Sequence, residues 1–257
     1  MLAAAVVLAG GSGRRVGAAG NKVYLPVAGR RLISWPLRAF AAVPDIRRLV
    51  LVVRSEDWAL AEQVVDTEVG ARVELVTGAT TRHGSEHQGL AHLAPAIRAG
   101  ELDVVAIHDG ARPVVDPRLV ADILAAAYRH GGAVPGLPLA DAATVHPGHG
   151  LAPVPADRRL VRVQTPQAFQ AAPLLAAYER AAEAGFAGTD TAACVECHAD
   201  IPVHCLPGDP RNIKVTYPSD LAVAAHLLSR QAPDAAAEPP LRPASGLAAT
   251  KPWHQPR

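Results

Sequence analysis

Apolar, β-rich runs recur along the chain at residues 3–10 (AAAVVLAG), 48–53 (RLVLVV), 72–77 (RVELVT) and 103–109 (DVVAIHD). The series continues at 132–139 (GAVPGLPL), 162–169 (RVQTPQAF), 201–207 (IPVHCLP) and 212–217 (NIKVTY). Helix-like stretches lie between the early runs: LISWPLRAFAAV, EDWALAEQVV, SEHQGLAHLAPAI and PRLVADILAAAYRH. Two more follow, around APLLAAYERAAEAG and SDLAVAAHLLSRQ. Strands that are apolar on both faces and alternate with helices predict a mostly parallel α/β sheet covered on both sides. Residues 140–161, rich in Pro, Gly and His, predict an excursion from that sheet. From about Gln231 the Pro/Ala/Ser composition predicts a disordered tail, which leaves one domain over residues 1–230.

A length of 257 residues suits such a domain, and a formal net charge of +1 offers no general attraction for nucleic acid or an anionic membrane. Any phosphate recognition must therefore be local. No apolar run reaches the roughly 18 residues of a membrane span. The opening MLAAAVVLAGG lacks a basic leader and runs into a glycine turn, so it reads as a buried first strand rather than a signal peptide. Three cysteines, an odd number, favour a reducing, cytoplasmic setting over a disulfide framework. CVECH matches the bare haem-attachment string, and Cys194, Cys197, His204 and Cys205 have the ligand types for zinc. Buried structural thiols on a helix and a strand are the simpler reading.

Within the basic residues the usage is lopsided: three lysines stand against 22 arginines. Lys22 and Lys214 both fall in segments suited to phosphate, where a compact ammonium can follow a group that changes shape. Immediately after the first strand comes LAGGSGRRVG, in which Gly10, Gly11 and Gly13 let backbone N–H groups approach an anion. A dinucleotide-binding turn would start a helix at once and place an acid at the end of the second strand; here that position is Arg54, which suits a ribose phosphate better than a ribose hydroxyl. A P-loop is excluded because no Gly-Lys-Ser/Thr follows. In HDGARP, Asp109 falls at the carboxyl end of a strand, where such sheets place their ligands and where a carboxylate suits Mg²⁺ shared with nucleotide phosphates. Arg112 could clamp a second phosphate; a helix-capping Asp with a surface Arg is the plainer alternative.

Taken together, LAGGSGRR, NKVYLPVAG, GATTRHGS, HDGARP, QTPQAF and NIKVTYPSDL resemble the cytidylyltransferases acting on 2-C-methyl-D-erythritol 4-phosphate, with pentitol-phosphate cytidylyltransferases as near relatives. The resemblance covers roughly residues 3–228. It implies a Rossmann-like domain with a protruding dimerisation arm at about 140–165, transferring CMP from CTP to a polyol phosphate with Mg²⁺. It further implies that Ala9, Gly10, Gly11, Gly13, Arg82, Ser85 and Gly110 bind the nucleotide, and that Asp109 holds the metal. Arg15, Lys22, Lys214 and Arg158 would be catalytic, with Arg159 the alternative to Arg158, and Arg112, Thr165 and Asp141 would face the acceptor. A homodimer exchanging its arm is implied as well.

The chain departs from the family pattern at Ala79 and Thr80, at Ala142 and Thr144, at a shortened arm, and at Thr191, where the pattern has Glu. The acceptor-side changes leave open the same chemistry on another polyol phosphate or a phosphonate. A catalytically silent paralogue is the third possibility, and the retained Arg15, Lys22, Asp109 and Lys214 count against it.

Overall fold

The computed structural model describes residues 1–11, 20–139, 143–146, 150–154, 159–186, 188 and 190–230, with the backbone alone at 144–146 and 150–153. Its centre is a strand, β1 (Ala3–Leu8), with a parallel neighbour on each side. On one side lie β4 (Ile46–Val53) and then β5 (Glu74–Thr77); on the other lies β6 (Val104–Asp109). Next to β6 runs β11 (Gln167–Gln170), antiparallel to it and to β7 (Gly132–Pro138). β7 also carries β10 (Val161–Val163), antiparallel, and β12 (Val203–Pro207), parallel. The chain thus builds outward from β1 in one direction through β4 and β5, and then crosses to begin the other half at β6. The boundary between β1 and β6 is a topological switch point, where open α/β sheets leave a crevice beyond the strand ends.

Alternation along β1 sorts the core into two layers. Ala3, Ala5 and Val7 pack with Leu37 and Phe40 of α1 (Ser34–Ala41) and with Ala61 and Val64 of α2 (Trp58–Val64). Val120, Ile123 and Leu124 of α4 (Pro117–His130) complete that layer, and Ala224 and Leu228 of α7 (Pro218–Ser229) extend it. Ala4 and Val6 face the opposite layer of Leu90, Leu93 and Ile97 from α3 (Arg82–Arg98). Leu174 and Tyr178 of α5 (Ala171–Glu183) and Cys194 of α6 (Thr191–His198) close it. Both layers are needed because the central strands carry apolar residues on both faces.

Several expectations are met closely and some are corrected. α4 coincides with the predicted PRLVADILAAAYRH, because Asp116 caps it by accepting from the Arg118 N–H (2.8 Å) and Gly131 ends it at positive φ. α3 begins three residues earlier than its apolar period, since Thr81 Oγ1 accepts from the Gly84 N–H (3.0 Å) and draws Arg82 into the first turn. The run 162–169 splits into β10 and β11 around Gln164, Thr165 and Pro166. Residues 212–217 form no strand. Their backbone partners are side chains and a loop: Asn212 O accepts from Arg112 Nη1 (2.8 Å), and the Val215 N–H donates to Ala111 O (2.8 Å). Of the cysteines only Cys194 is buried, its thiol pushed up to about 12 by burial; Cys197 on α6 and Cys205 on β12 are exposed. The excursion contains a separate antiparallel pair, β8 (Ala143–His146) with β9 (Gly150–Pro153), off the main sheet. The small hairpin β2 (Pro26–Val27) and β3 (Arg30–Arg31) follows the glycine region. The tail beyond Arg230 lies outside the described residues.

An ion-pair cluster at the β4–β5 edge gives the fold a definite acid response. Arg48 pairs with both oxygens of Glu74, and His92 Nε2 lies 2.7 Å from Glu74 Oε2. The hydrogen bonds from Arg48 outweigh burial and, with His92, pull the Glu74 carboxyl from 4.5 down to about 2. The folded value lies below the unfolded one, so the stabilisation is complete above about pH 4.5 and is lost as pH falls toward 2. The stability advantage of the parent chain over Glu74→Gln should therefore be larger at pH 5 than at pH 3, as denaturant unfolding at the two values would measure. An advantage that does not change with pH would refute the coupling.

Candidate active site

The crevice at the switch point is a cleft of about 260 Å³. Its floor is the end of β1 and the end of β6, which are in register at Leu8 and Asp109. Gly10 and Gly11 continue from β1, and Gly110 from β6. A side chain at Gly110 would strike Ile33 Cδ1 at 2.5 Å and Leu8 O at 2.7 Å, so only glycine lets the two strand ends close up here. A Cβ at Gly11 would meet nothing within 4 Å among the described residues. Lys22, Ala79, Thr80, Thr81, Arg82, Ser85 and Lys214 form the walls.

Lys22 is set by its neighbour. Asn21, itself buried, donates from Nδ2 to Ala9 O at the end of β1 and to Asp57 Oδ2 (2.9 Å), while its Oδ1 accepts from the Val23 N–H (3.3 Å). These bonds cap the 3-10 turn Lys22–Tyr24 and tie it to the sheet. Arg54 holds Asp57 through Nε and Nη2 at 2.7 and 2.9 Å. Its fork is committed there, which corrects the expectation of an arginine suited to a ribose phosphate. On the opposite wall, the Ser85 hydroxyl closes the 78–81 loop: it lies 2.9 Å from Thr81 O and accepts from the Ala79 N–H at 3.1 Å.

Asp109 is where the charges meet. Lys214 Nζ lies 2.8 Å from its Oδ2, Arg112 Nε 3.6 Å from the same oxygen, and Arg82 Nη2 3.3 Å from Oδ1. Burial opposes its ionisation, but Arg82, Lys214 and Arg112 outweigh it and hold the carboxyl well below the usual carboxylate range. Beneath it the Asp109 N–H donates to Thr165 Oγ1 (3.0 Å), and Thr165 Oγ1 is 3.1 Å from His108 Nδ1. His108 Nε2 lies 3.2 Å from Arg112 O. These partners select the tautomer with the proton on Nε2, so the threonine hydroxyl donates to Nδ1. Burial lowers the His108 pKa to about 3, which keeps the ring neutral. Thr165→Val would leave a backbone donor and a ring nitrogen unpaired and should cost about 2 to 4 kcal/mol of unfolding free energy. Denaturant melts would read this; a loss under 1 kcal/mol would contradict it.

The expected site residues separate into groups. Gly10, Gly11, Lys22, Arg82, Ser85, Asp109, Gly110 and Lys214 converge on the cleft. Ala9 is fully buried just behind it, bonded to Val52 O. Arg112 and Thr165 are turned inward: Arg112 Nη1 donates to Asn212 O, and Thr165 supports Asp109 and His108. Gly13, Arg15, Asp141, Ala142 and Arg158 lie outside the described residues, while Arg159 is exposed. Thr191, the departure from Glu, is fully buried at the start of α6 and donates from Oγ1 to Glu86 Oε1 (2.9 Å).

Glu86 itself escaped the sequence reading, as did Asn21, His108 and Asn212. Asn212 Nδ2 donates to Thr165 O (2.8 Å), and Gln164 Nε2 reaches Asn212 O (3.2 Å), which pins the segment carrying Lys214. Asn21 directly precedes Lys22 and Asn212 lies two residues before Lys214, and that was the available signal. For Glu86 no local signal existed.

A parallel α/β sheet with glycine-lined strand ends at its switch point, one ionised carboxylate and several converging cations defines a nucleotide-handling transferase site. The family model for 2-C-methyl-D-erythritol 4-phosphate cytidylyltransferase (IspD) matches residues 3–230. The chain belongs to that family. The 2-C-methyl-D-erythritol 4-phosphate cytidylyltransferase of Cereibacter sphaeroides is 38% identical over 229 residues, covering 89% of this chain and 98% of the relative. That of Geobacillus kaustophilus is 39% identical over 228 residues, covering 88% and 96%. Among solved structures, the 4-diphosphocytidyl-2C-methyl-D-erythritol synthase of Anaerococcus prevotii superposes with a TM-score of 0.77 at 26% identity, over 89% of this chain and 96% of that one. The 2-C-methyl-D-erythritol 4-phosphate cytidylyltransferase of Thermus thermophilus gives 0.64 at 30% identity, over 89% and 100%.

Proposed function

We propose that this chain transfers the cytidylyl group of CTP to 2-C-methyl-D-erythritol 4-phosphate and releases pyrophosphate. Family membership supports the substrates, and the observation that carries the chemistry is Asp109 at the switch point with Lys214, Arg82 and Arg112 converging on it. An acceptor phosphate oxygen attacks the α-phosphorus in line, the bond to the β-phosphate oxygen breaks, and pyrophosphate leaves. A phosphate monoester is already nucleophilic near neutral pH, so the site needs positioning and positive charge rather than a base. Lys22 and Arg15 take the triphosphate, with the ends of β1 and β6 against it. Lys214 stands between acceptor and α-phosphate. Arg112 contributes by holding the Asn212 turn that carries Lys214.

The donor set suits a divalent ion held jointly with the substrate. Among the described residues no group of three or more His, Cys, Asp or Glu side chains could hold a metal by itself. One ionised carboxylate beside a phosphate site is the usual provision for Mg²⁺, which keeps waters and phosphate oxygens as its other ligands. Asp109 would hold it, with Lys214 moving toward the phosphates. When bound, Mg²⁺ supplies positive charge to the triphosphate.

The domain boundary is placed at Arg230, supported by the family match ending there. The β8–β9 pair stands apart from the main sheet, which supports an arm over about 140–165 exchanged in a homodimer. Arg158, or Arg159 beside it, would then serve the neighbouring subunit's acceptor site together with Asp141. No described helix is long and apolar enough to cross a membrane, and the free thiols suit a reducing cytoplasm.

The test is pyrophosphate release with CTP and Mg²⁺, offering methylerythritol phosphate beside ribitol, glycerol and erythritol phosphates. Turnover is expected with methylerythritol phosphate. Faster turnover with another of the four, or none with any, would reject this reading.

A further inference from the structure

Glu86 is fully buried on α3, one turn after Arg82 and outside the cleft lining. A carboxylate is tolerated in such a place only if it is paired and its lone pairs are used. Three donors meet it: Arg82 Nη1 lies 2.6 Å from Oε1, Thr191 Oγ1 donates to Oε1 (2.9 Å), and the Tyr178 hydroxyl donates to Oε2 (2.6 Å). The other edge of the same guanidinium, Nη2 and Nε, faces Asp109 Oδ1 at 3.3 and 3.4 Å. Arg82 therefore spans two carboxylates, one sealed in the core and one at the reacting centre.

The two ends of this span differ in strength. The contact with Glu86 is short and buried. That with Asp109 is long, and Asp109 is shared with Lys214 at 2.8 Å and Arg112 at 3.6 Å. A cation that draws Asp109 away weakens the cleft end first, and the shorter contact with Glu86 still holds the other edge of the guanidinium. We propose that Glu86 is a positioning residue for nucleotide binding: it anchors Arg82 by one edge so that the other edge stays presented to the cleft. Tyr178 and Thr191 hold the anchor in turn. This rests on the reading of the cleft as a CTP site.

Geometry also supplies a rescue. Position 191 faces the same guanidinium across Glu86, with Thr191 Oγ1 only 2.9 Å from the anchoring oxygen, so a carboxylate extended from α6 could reach Arg82. Calorimetric titration of the full chain with CTP comes first, and a parent that binds no CTP rejects the site reading and this proposal together. Given binding, Glu86→Gln should weaken CTP by about tenfold or more, raising KM for CTP while kcat per folded molecule changes less and KM for the acceptor stays put. Glu86→Gln/Thr191→Glu should recover CTP affinity to within about threefold of the parent. A merely structural role would lower the melting temperature and the folded fraction but leave KM for CTP unchanged. Unchanged CTP affinity in folded Glu86→Gln would overturn the proposal. If the single variant does not fold, the double variant decides: affinity near the parent's supports the anchor, and a folded double variant at least tenfold weaker overturns it.

Discussion

Lys22→Arg should lose most of its turnover, with kcat down about 100-fold although the charge is kept, and Lys22→Ala should lose about 1000-fold. Lys22 is only 9% exposed and opens a 3-10 turn that Asn21 fastens to both Ala9 and Asp57. The backbone from which it projects is thus fixed, and its reach into the cleft is set by four methylenes and a compact ammonium. A guanidinium is planar and broader, and it would have to enter the same buried space with its donors in a fixed fork. It would sit against the triphosphate in one geometry but could not follow charge moving onto the leaving pyrophosphate. Steady-state pyrophosphate release from purified variants measures this directly. Near-normal turnover in Lys22→Arg would show that any cation suffices and would remove the significance of the chain's sparing use of lysine.

The second large effect is expected at Asp109. Asp109→Asn should lower kcat by about 1000-fold and abolish the response of activity to Mg²⁺ concentration, because a neutral amide neither holds the ion nor balances the cations around it. The same change should destabilise the fold by about 2 to 4 kcal/mol, below the full cost of breaking a buried pair. The discount follows from Lys214, which is 41% exposed and can turn to water, whereas Arg112 at 11% cannot. Since neighbouring cations keep the Asp109 carboxyl well below the usual range, its ionised form prevails throughout the working range of pH. The stability deficit of the variant should accordingly be equal at pH 6 and pH 8. Thermal melts at both values, beside a Mg²⁺ titration of activity, give the measurement. Parent-like activity and a parent-like Mg²⁺ response would remove Asp109 from the reaction.

Much of the architecture was legible along the chain because period and punctuation are local. The α4 segment shows the limit of what locality can do: Asp116, Pro117 and Gly131 bracket a clean apolar stripe, and the helix begins and ends there. The placing of Gly10 just past β1 and of Asp109 at the end of β6 was legible for a related reason, since a motif that follows a strand must lie at its carboxyl end. The misreadings have the opposite character. Residues 212–217 have strand composition, but Arg112, Gln164 and Ala111 claim their backbone partners before any sheet edge can. Arg54 was legible as a cation and not as a cation already spent on Asp57, and nothing local told that Arg112 also donates to Asn212 O. Thr191 read as a change at the acceptor, yet it lies against Glu86 behind Arg82.

The order of elements, the mostly parallel sheet with two apolar faces, the two motifs that border the crevice and the kind of ligand they suit all follow from short stretches of chain. Hydrophobic period, caps and glycines act over a few residues, so their consequences can be read from a few residues. Which charged groups face the crevice, and which are consumed holding it open, was settled by packing. Tyr178 and Thr191 bond Glu86, the partner of Arg82, across separations of 92 and 105 residues, and Thr165 supports Asp109 across 56. A charge acquires its role from the partners within a few ångströms of it, and those partners are fixed only when distant segments pack.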